Sequence, residues 1–91
     1  MAMASEEEIK GLTDTQGRWK RDGESLVASL EFKDFAEAMD FVNRVAEKSE
    51  AANHHPDIDI RWNKVRLVLS THSEGGITRK DLDLARQISL E

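Results

Sequence analysis

Between Pro56 and Gly75 the apolar residues fall on every second position: Ile58, Ile60 and Trp62, then Val65, Leu67 and Leu69. A helix would scatter these residues around its circumference, whereas a strand lines them along one face. The stretch therefore reads as two strands, with Asn63-Lys64 as the turn between them. Pro56, the only proline, pushes His55 toward an extended conformation. Gly75-Gly76 breaks the returning strand. A second alternation, Leu26, Ala28, Leu30 and Phe32, follows Asp22-Gly23, a two-residue signal for a type I′ turn with positive φ at both positions. Residues 18–32 thus read as a hairpin with Trp19 on its first strand.

The flanking segments carry the helical period instead. Phe35, Ala38, Met39, Val42, Val45 and Ala46 form one apolar stripe in a helix expected from Asp34 to about Ala52, with Asp34 and Glu37 as a cap pair. Ser5 and Glu8 make a capping box for a short helix from about Glu6 to Leu12, limited by Gly11, Thr13, Asp14 and Gly17. Thr78, with Asp81 three residues on, opens a last helix that faces Leu82, Ala85 and Ile88 inward. Ile77 and Leu82 are placed for a hydrophobic staple. The expected order is α-β-β-α-β-β-α. The natural solution is an α+β domain over residues 1–91: a four-stranded antiparallel sheet with helices packed on one face. Residues 1–4 read as a loose tail.

A chain of 91 residues leaves a large share of its surface wet, so self-association is expected. The net charge of −5 opposes nucleic-acid binding, which needs a basic stripe. Without cysteine there are neither disulfides nor thiolate metal sites. No apolar run approaches membrane-spanning length. The acidic start is unlike a signal or transit peptide, which makes the cytoplasm the expected location.

All three histidines lie between His54 and His72. If the strands between them pair as a hairpin, its two open ends lie side by side, with His54 and His55 entering at one and His72 leaving at the other. Three readings follow: acid–base catalysis, since imidazole trades protons near neutral pH; a metal site; or exposed histidines at loop ends. The metal reading is the weakest, because adjacent histidines seldom aim at one ion and no H-E-x-x-H is present. Neighbouring residues have structural readings as well. Asp81 can cap a helix, Glu50 can be a solvated helix-end acid, and Asn53 can be a C-cap. Trp62 can serve core or interface packing, and Trp19 half-exposed hairpin packing.

The stretch Glu50-Ala51-Ala52-Asn53-His54-His55-Pro56, followed by Trp62, Thr71-His72 and Asp81, resembles the signature of the pterin-4a-carbinolamine dehydratases. Gly75-Gly76-Ile77-Thr78, the run Asp81–Ala85 and the passage Leu30–Phe35 resemble that family too. The similarity spans roughly Trp19 to Ile88, and the N-terminal segment is short for the family. The resemblance implies a hydro-lyase that removes water from a 4a-hydroxytetrahydropterin to give a quinonoid dihydropterin, in pterin recycling and with no cofactor. It implies His54 and His72 as proton-transfer residues and His55 mainly as a binding residue. Glu50, Asn53, Ser70, Thr71, Trp62 and Asp81 are the further candidates around the substrate. Some relatives act instead as dimerisation or assembly cofactors.

Overall fold

The computed structural model describes residues 3–89. Helix α1 spans Glu6–Thr15, strands β1 and β2 Trp19–Asp22 and Ser25–Glu31, and helix α2 Phe35–Ala52. Strands β3 and β4 span Asp57–Arg61 and Lys64–Leu69; a single 3-10 turn, His72–Glu74, precedes helix α3, Arg79–Ser89. The strands make one antiparallel sheet in the order β1-β2-β4-β3. The expected element order and fold class both hold.

The alternation explains the layering. Leu26 and Ala28 of β2 and Val65, Leu67 and Leu69 of β4 are buried against the helices, while their neighbours Ser29, Lys64 and Arg66 face out. The central strands thus bury one face only, as expected of an antiparallel sheet. Ile9 and Leu12 of α1, Phe41 and Val45 of α2, and Leu82, Leu84 and Ile88 of α3 complete the core.

Several local expectations need correction. Helix α1 runs three residues past Leu12, because Gly11 carries too small a helix penalty to end it. It stops where the Gln16 amide closes on the Leu12 carbonyl. The stripe of α2 is rotated: Phe41 and Ser49 point in, whereas Phe35 and Ala46 are exposed. Trp19 is fully buried rather than half-exposed, and its indole N–H donates to the Ala85 carbonyl. Of the expected loose tail, Ala4 donates to the Ile77 carbonyl and Met3 bridges to Thr78; residues 1–2 lie outside the described ones.

Both hairpin turns sit one residue away from the expected place. Asp22 pairs with Ser25, so Gly23-Glu24 is the turn. Positive φ occurs at Gly23 (61°) but not at Glu24, the pattern of a type II′ rather than a type I′ turn. Arg61 pairs with Lys64, so the second turn is Trp62-Asn63. The reason lies in Asn63. Its side-chain amide donates to the Phe32 carbonyl at 2.8 Å, and the Phe32 amide donates to the Asn63 carbonyl at 2.8 Å. This reciprocal pair ties the turn to the end of β2. It leaves Trp62 in the left-handed region at φ 52°, which costs about 1–2 kcal/mol for a residue with a Cβ.

Candidate active site

The end of α2 turns sharply because Asn53 adopts the left-handed conformation, φ 51° and ψ 42°, as its C-cap. The His54 amide then closes on the Ser49 carbonyl at 3.1 Å, and the chain continues extended through Pro56 into β3. This reversal carries His54 inward. Its side chain is only 12% exposed, and Nε2 lies 2.5 Å from Oδ1 of Asp81, which is fully buried.

Asp81 reaches this place as a helix cap. The Thr78 amide donates to its Oδ2 at 2.9 Å, which satisfies one free N–H at the start of α3. The same Oδ2 accepts the Thr71 hydroxyl at 2.8 Å. Capping and orientation of an imidazole are therefore performed by one carboxylate, through different oxygens. A buried carboxylate is tolerable here because each oxygen is bonded.

Beyond β4 the chain folds into a tight loop. The Thr71 amide donates to the Gly76 carbonyl at 2.8 Å, and the Thr71 carbonyl accepts from Glu74 and Gly75, each at 3.0 Å. Gly75, at φ 75°, closes the turn. The loop displays His72 on its outside, exposed, one residue from the hydroxyl bonded to Asp81. Its tight closure also engages the Thr71 backbone, whereas Ser70, the other candidate beside it, is half-buried and lies outside the loop's own bonds.

His55 takes a different partner from His54. Its Nε2 lies 2.5 Å from Oε2 of Glu50, and both side chains are more than half exposed. The fold thus gathers His54, Thr71 and Asp81 in direct contact, holds His72 beside Thr71, and pairs His55 with Glu50 one step outward. Asn53 serves as the C-cap and is exposed. Trp62 is not gathered in: it stands at the far end of the β3–β4 hairpin, about 17 Å away by the rise of five strand residues, and is 67% exposed.

Sequence reasoning missed the hydroxyls of Thr71 and Thr78, which bond each other at 2.8 Å. The only available signal was Thr78 as a helix-start residue three positions before Asp81. Among the described residues, no three histidine, aspartate or glutamate side chains are placed to share an ion. A shallow concavity of about 580 Å³ lies on the other face of the sheet, lined by Ser29, Glu31, Asp59, Arg61, Lys64 and Arg66 among others. Its charges are mixed in sign, and it contains none of the histidines.

These features define an α+β domain with a histidine–carboxylate centre where a helix end, a strand end and a helix start converge. The chain belongs to the pterin 4 alpha carbinolamine dehydratase family, whose model matches residues 2–90. The match extends over the N-terminal helix, beyond the span recognisable in the motifs. A relative from Thermomicrobium roseum, named "Putative pterin-4-alpha-carbinolamine dehydratase", is 51% identical over 98% of this chain and 96% of its own length. A relative of the same name from Mycobacteroides abscessus is 47% identical over 100% of this chain and 97% of its own. The crystal structure of a transcriptional coactivator/pterin dehydratase from Brucella melitensis superposes with a TM-score of 0.90 at 31% identity, covering 98% of this chain and 97% of that one. A pterin dehydratase-like protein identified as a RuBisCO assembly factor in the alpha-carboxysome shares the fold, with a TM-score of 0.64 at 20% identity over 80% of this chain and 84% of that one.

Proposed function

We propose that this protein dehydrates a 4a-hydroxytetrahydropterin to the quinonoid dihydropterin, with His54 and His72 moving the protons and His55 binding substrate. The single observation that carries the reading is the bond between His54 and the buried Asp81, which fixes an imidazole in one orientation beside the loop that bears His72.

The chemistry accounts for the residue types. Hydroxide leaves C4a poorly, so the oxygen takes up a proton as the C–O bond breaks and departs as water. The N5 proton is released as the C4a=N5 double bond forms. One group gives a proton and another takes one, so no net oxidation occurs and no cofactor is required. Positioned acid–base groups supply about 10²–10⁴-fold each, enough for a carbinolamine that already dehydrates slowly by itself. The Glu50–His55 pair, exposed at the rim, suits recognition of the pterin's hydrogen-bonding edge.

We place the enzyme in the cytoplasm, in pterin recycling, and as a homodimer or homotetramer. The exposed apolar side chains of Phe35, Ile58, Ile60 and Trp62 and the outer edge of β3, which pairs with no further strand among the described residues, support self-association. The same surface supports the alternative, a non-catalytic dimerisation or assembly cofactor on this fold. The decisive experiment follows dehydration of a freshly generated 4a-hydroxytetrahydropterin with and without purified protein. Acceleration that scales with protein concentration is expected; a folded protein that leaves the spontaneous rate unchanged would favour the alternative.

A further inference from the structure

Nε2 of His54 faces Asp81, and four hydrogen bonds behind that contact run in one direction, which bears on where the imidazole hydrogen sits. The Lys80 amide donates to Thr78 Oγ1 at 3.2 Å. The Thr71 hydroxyl has one hydrogen, and its neighbours are Asp81 Oδ2 at 2.8 Å and Thr78 Oγ1 at 2.8 Å. A carboxylate only accepts, so the Thr71 hydrogen goes to Asp81 and the Thr78 hydrogen goes to Thr71. Oδ2 is then filled by two donors, Thr71 and the Thr78 amide. Only Oδ1 remains for His54. Asp81, which accepts from every other neighbour as a carboxylate, has only accepting capacity left on Oδ1, so the hydrogen in this contact is the one on Nε2, donated to Oδ1.

The other ring nitrogen, Nδ1, has no protein partner among the described residues. It is not sealed either, since among the described residues no side-chain nitrogen or oxygen in a buried or half-buried residue is both sealed and unbonded. We infer that the chain Lys80–Thr78–Thr71–Asp81 locks neutral His54 as its Nε2–H tautomer, leaves Nδ1 as the atom that exchanges a proton with substrate, and makes Thr71 a positioning residue. The substrate part rests on the dehydratase reading. The tautomer does not.

Two measurements separate them. The first is a long-range ¹H–¹⁵N spectrum of the ¹⁵N-labelled full chain, at a pH where the imidazoles are neutral, with His54 assigned by comparison with His54→Gln. The expected result is a single tautomer with the hydrogen on Nε2. A hydrogen on Nδ1, or an averaged pair of shifts, would overturn the inference whether or not the protein turns over a pterin. The second compares Thr71→Val with Thr71→Ser. Valine keeps the branched shape and the loop backbone but removes the donor to Asp81. Its kcat should fall about 10-fold at unchanged KM, the worth of roughly one hydrogen bond to a charged group, and its His54 shifts should move toward averaging. Serine should recover most of both. Wild-type kcat and shifts in Thr71→Val would remove Thr71 from the role. If the valine variant does not fold, Thr71→Ala, which also removes the donor, replaces it with the same two outcomes, and the wild-type tautomer is decided independently of either.

Discussion

The indole N–H of Trp19 donates to the backbone carbonyl of Ala85 at 3.1 Å, which joins the first strand to the last helix in the buried core. The bond joins residues 66 apart in the sequence, so the edge strand β1 is held by α3 as well as by β2. Trp19→Phe keeps an aromatic ring but loses the donor and part of the volume. It should destabilise the fold by about 1–3 kcal/mol, and Trp19→Ala by about 3–5 kcal/mol. Urea unfolding midpoints, compared at constant m-value, provide the measurement.

The three histidines should separate kinetically. His54→Ala and His72→Ala should lower kcat by about 10–10³-fold, while His55→Ala should mainly raise KM. Chelator treatment should leave the rate unchanged. Initial rates corrected for the spontaneous reaction provide the comparison. Wild-type kcat in both of the first two variants, or turnover abolished by chelation, would rule out this assignment of roles.

Asp81→Ala should cost about 2–4 kcal/mol, because Thr71, the Thr78 amide and His54 all lose their acceptor at a buried place. Asp81→Asn should fold better and remain poorly active, since the amide keeps the shape but offers one accepting oxygen to three donors. Paired unfolding and turnover assays distinguish the two effects.

Acid should erase one surface tie. Glu8 accepts from the Ser5 amide at 2.9 Å and from Arg79 at 3.0 Å, and these bonds, the Ser5 backbone one foremost, hold its carboxyl below the ordinary value of 4.5. A depressed carboxyl contributes stability above its unfolded value and loses it as pH falls through the folded one. Wild type should therefore exceed Glu8→Gln in stability at neutral pH, with the gap closing below about pH 4. Thermal melts of both proteins across that range test the sign.

The exposed edge should carry self-association. Light scattering at micromolar concentration should give a mass that is a multiple of 10.3 kDa. Ile60→Lys, which places a charge on the outer strand, should shift the mass toward a single chain. A single-chain mass for wild type across that range would count against the oligomer.

Period-two alternation made the sheet legible, and cap pairs located the helices, because both are local properties of the chain. The errors were places where a distant contact outweighed a local one. Asn63 is drawn to Phe32, which shifts the turn onto Trp62 and takes that residue out of the strand. Trp19 finds its partner at Ala85 and becomes buried. The apolar positions of α2 allow two overlapping stripes, one that includes Phe41 and one that does not, and only the sheet chooses between them. At the site, Asp81 is recognisable in the sequence as a capping acid and as a candidate near the substrate. Thr71 stands out in the sequence only as the neighbour of His72. The work of its hydroxyl depends on where α3 begins to pack, and no spacing rule encodes that.

Asp81 closes the first turn of α3 with one oxygen and steadies His54 with the other, so the two events share one gate. Each time that turn frays, the imidazole loses its anchor. If His54 moves protons as proposed, the fraction of molecules poised to do so at any instant tracks the fraction in which the turn is closed. Exchange of the Thr78 amide, whose hydrogen bond to Asp81 must break before solvent reaches it, is consequently a clock for readiness of the site: conditions that quicken its exchange shorten the time His54 spends aligned, even where the core stays intact.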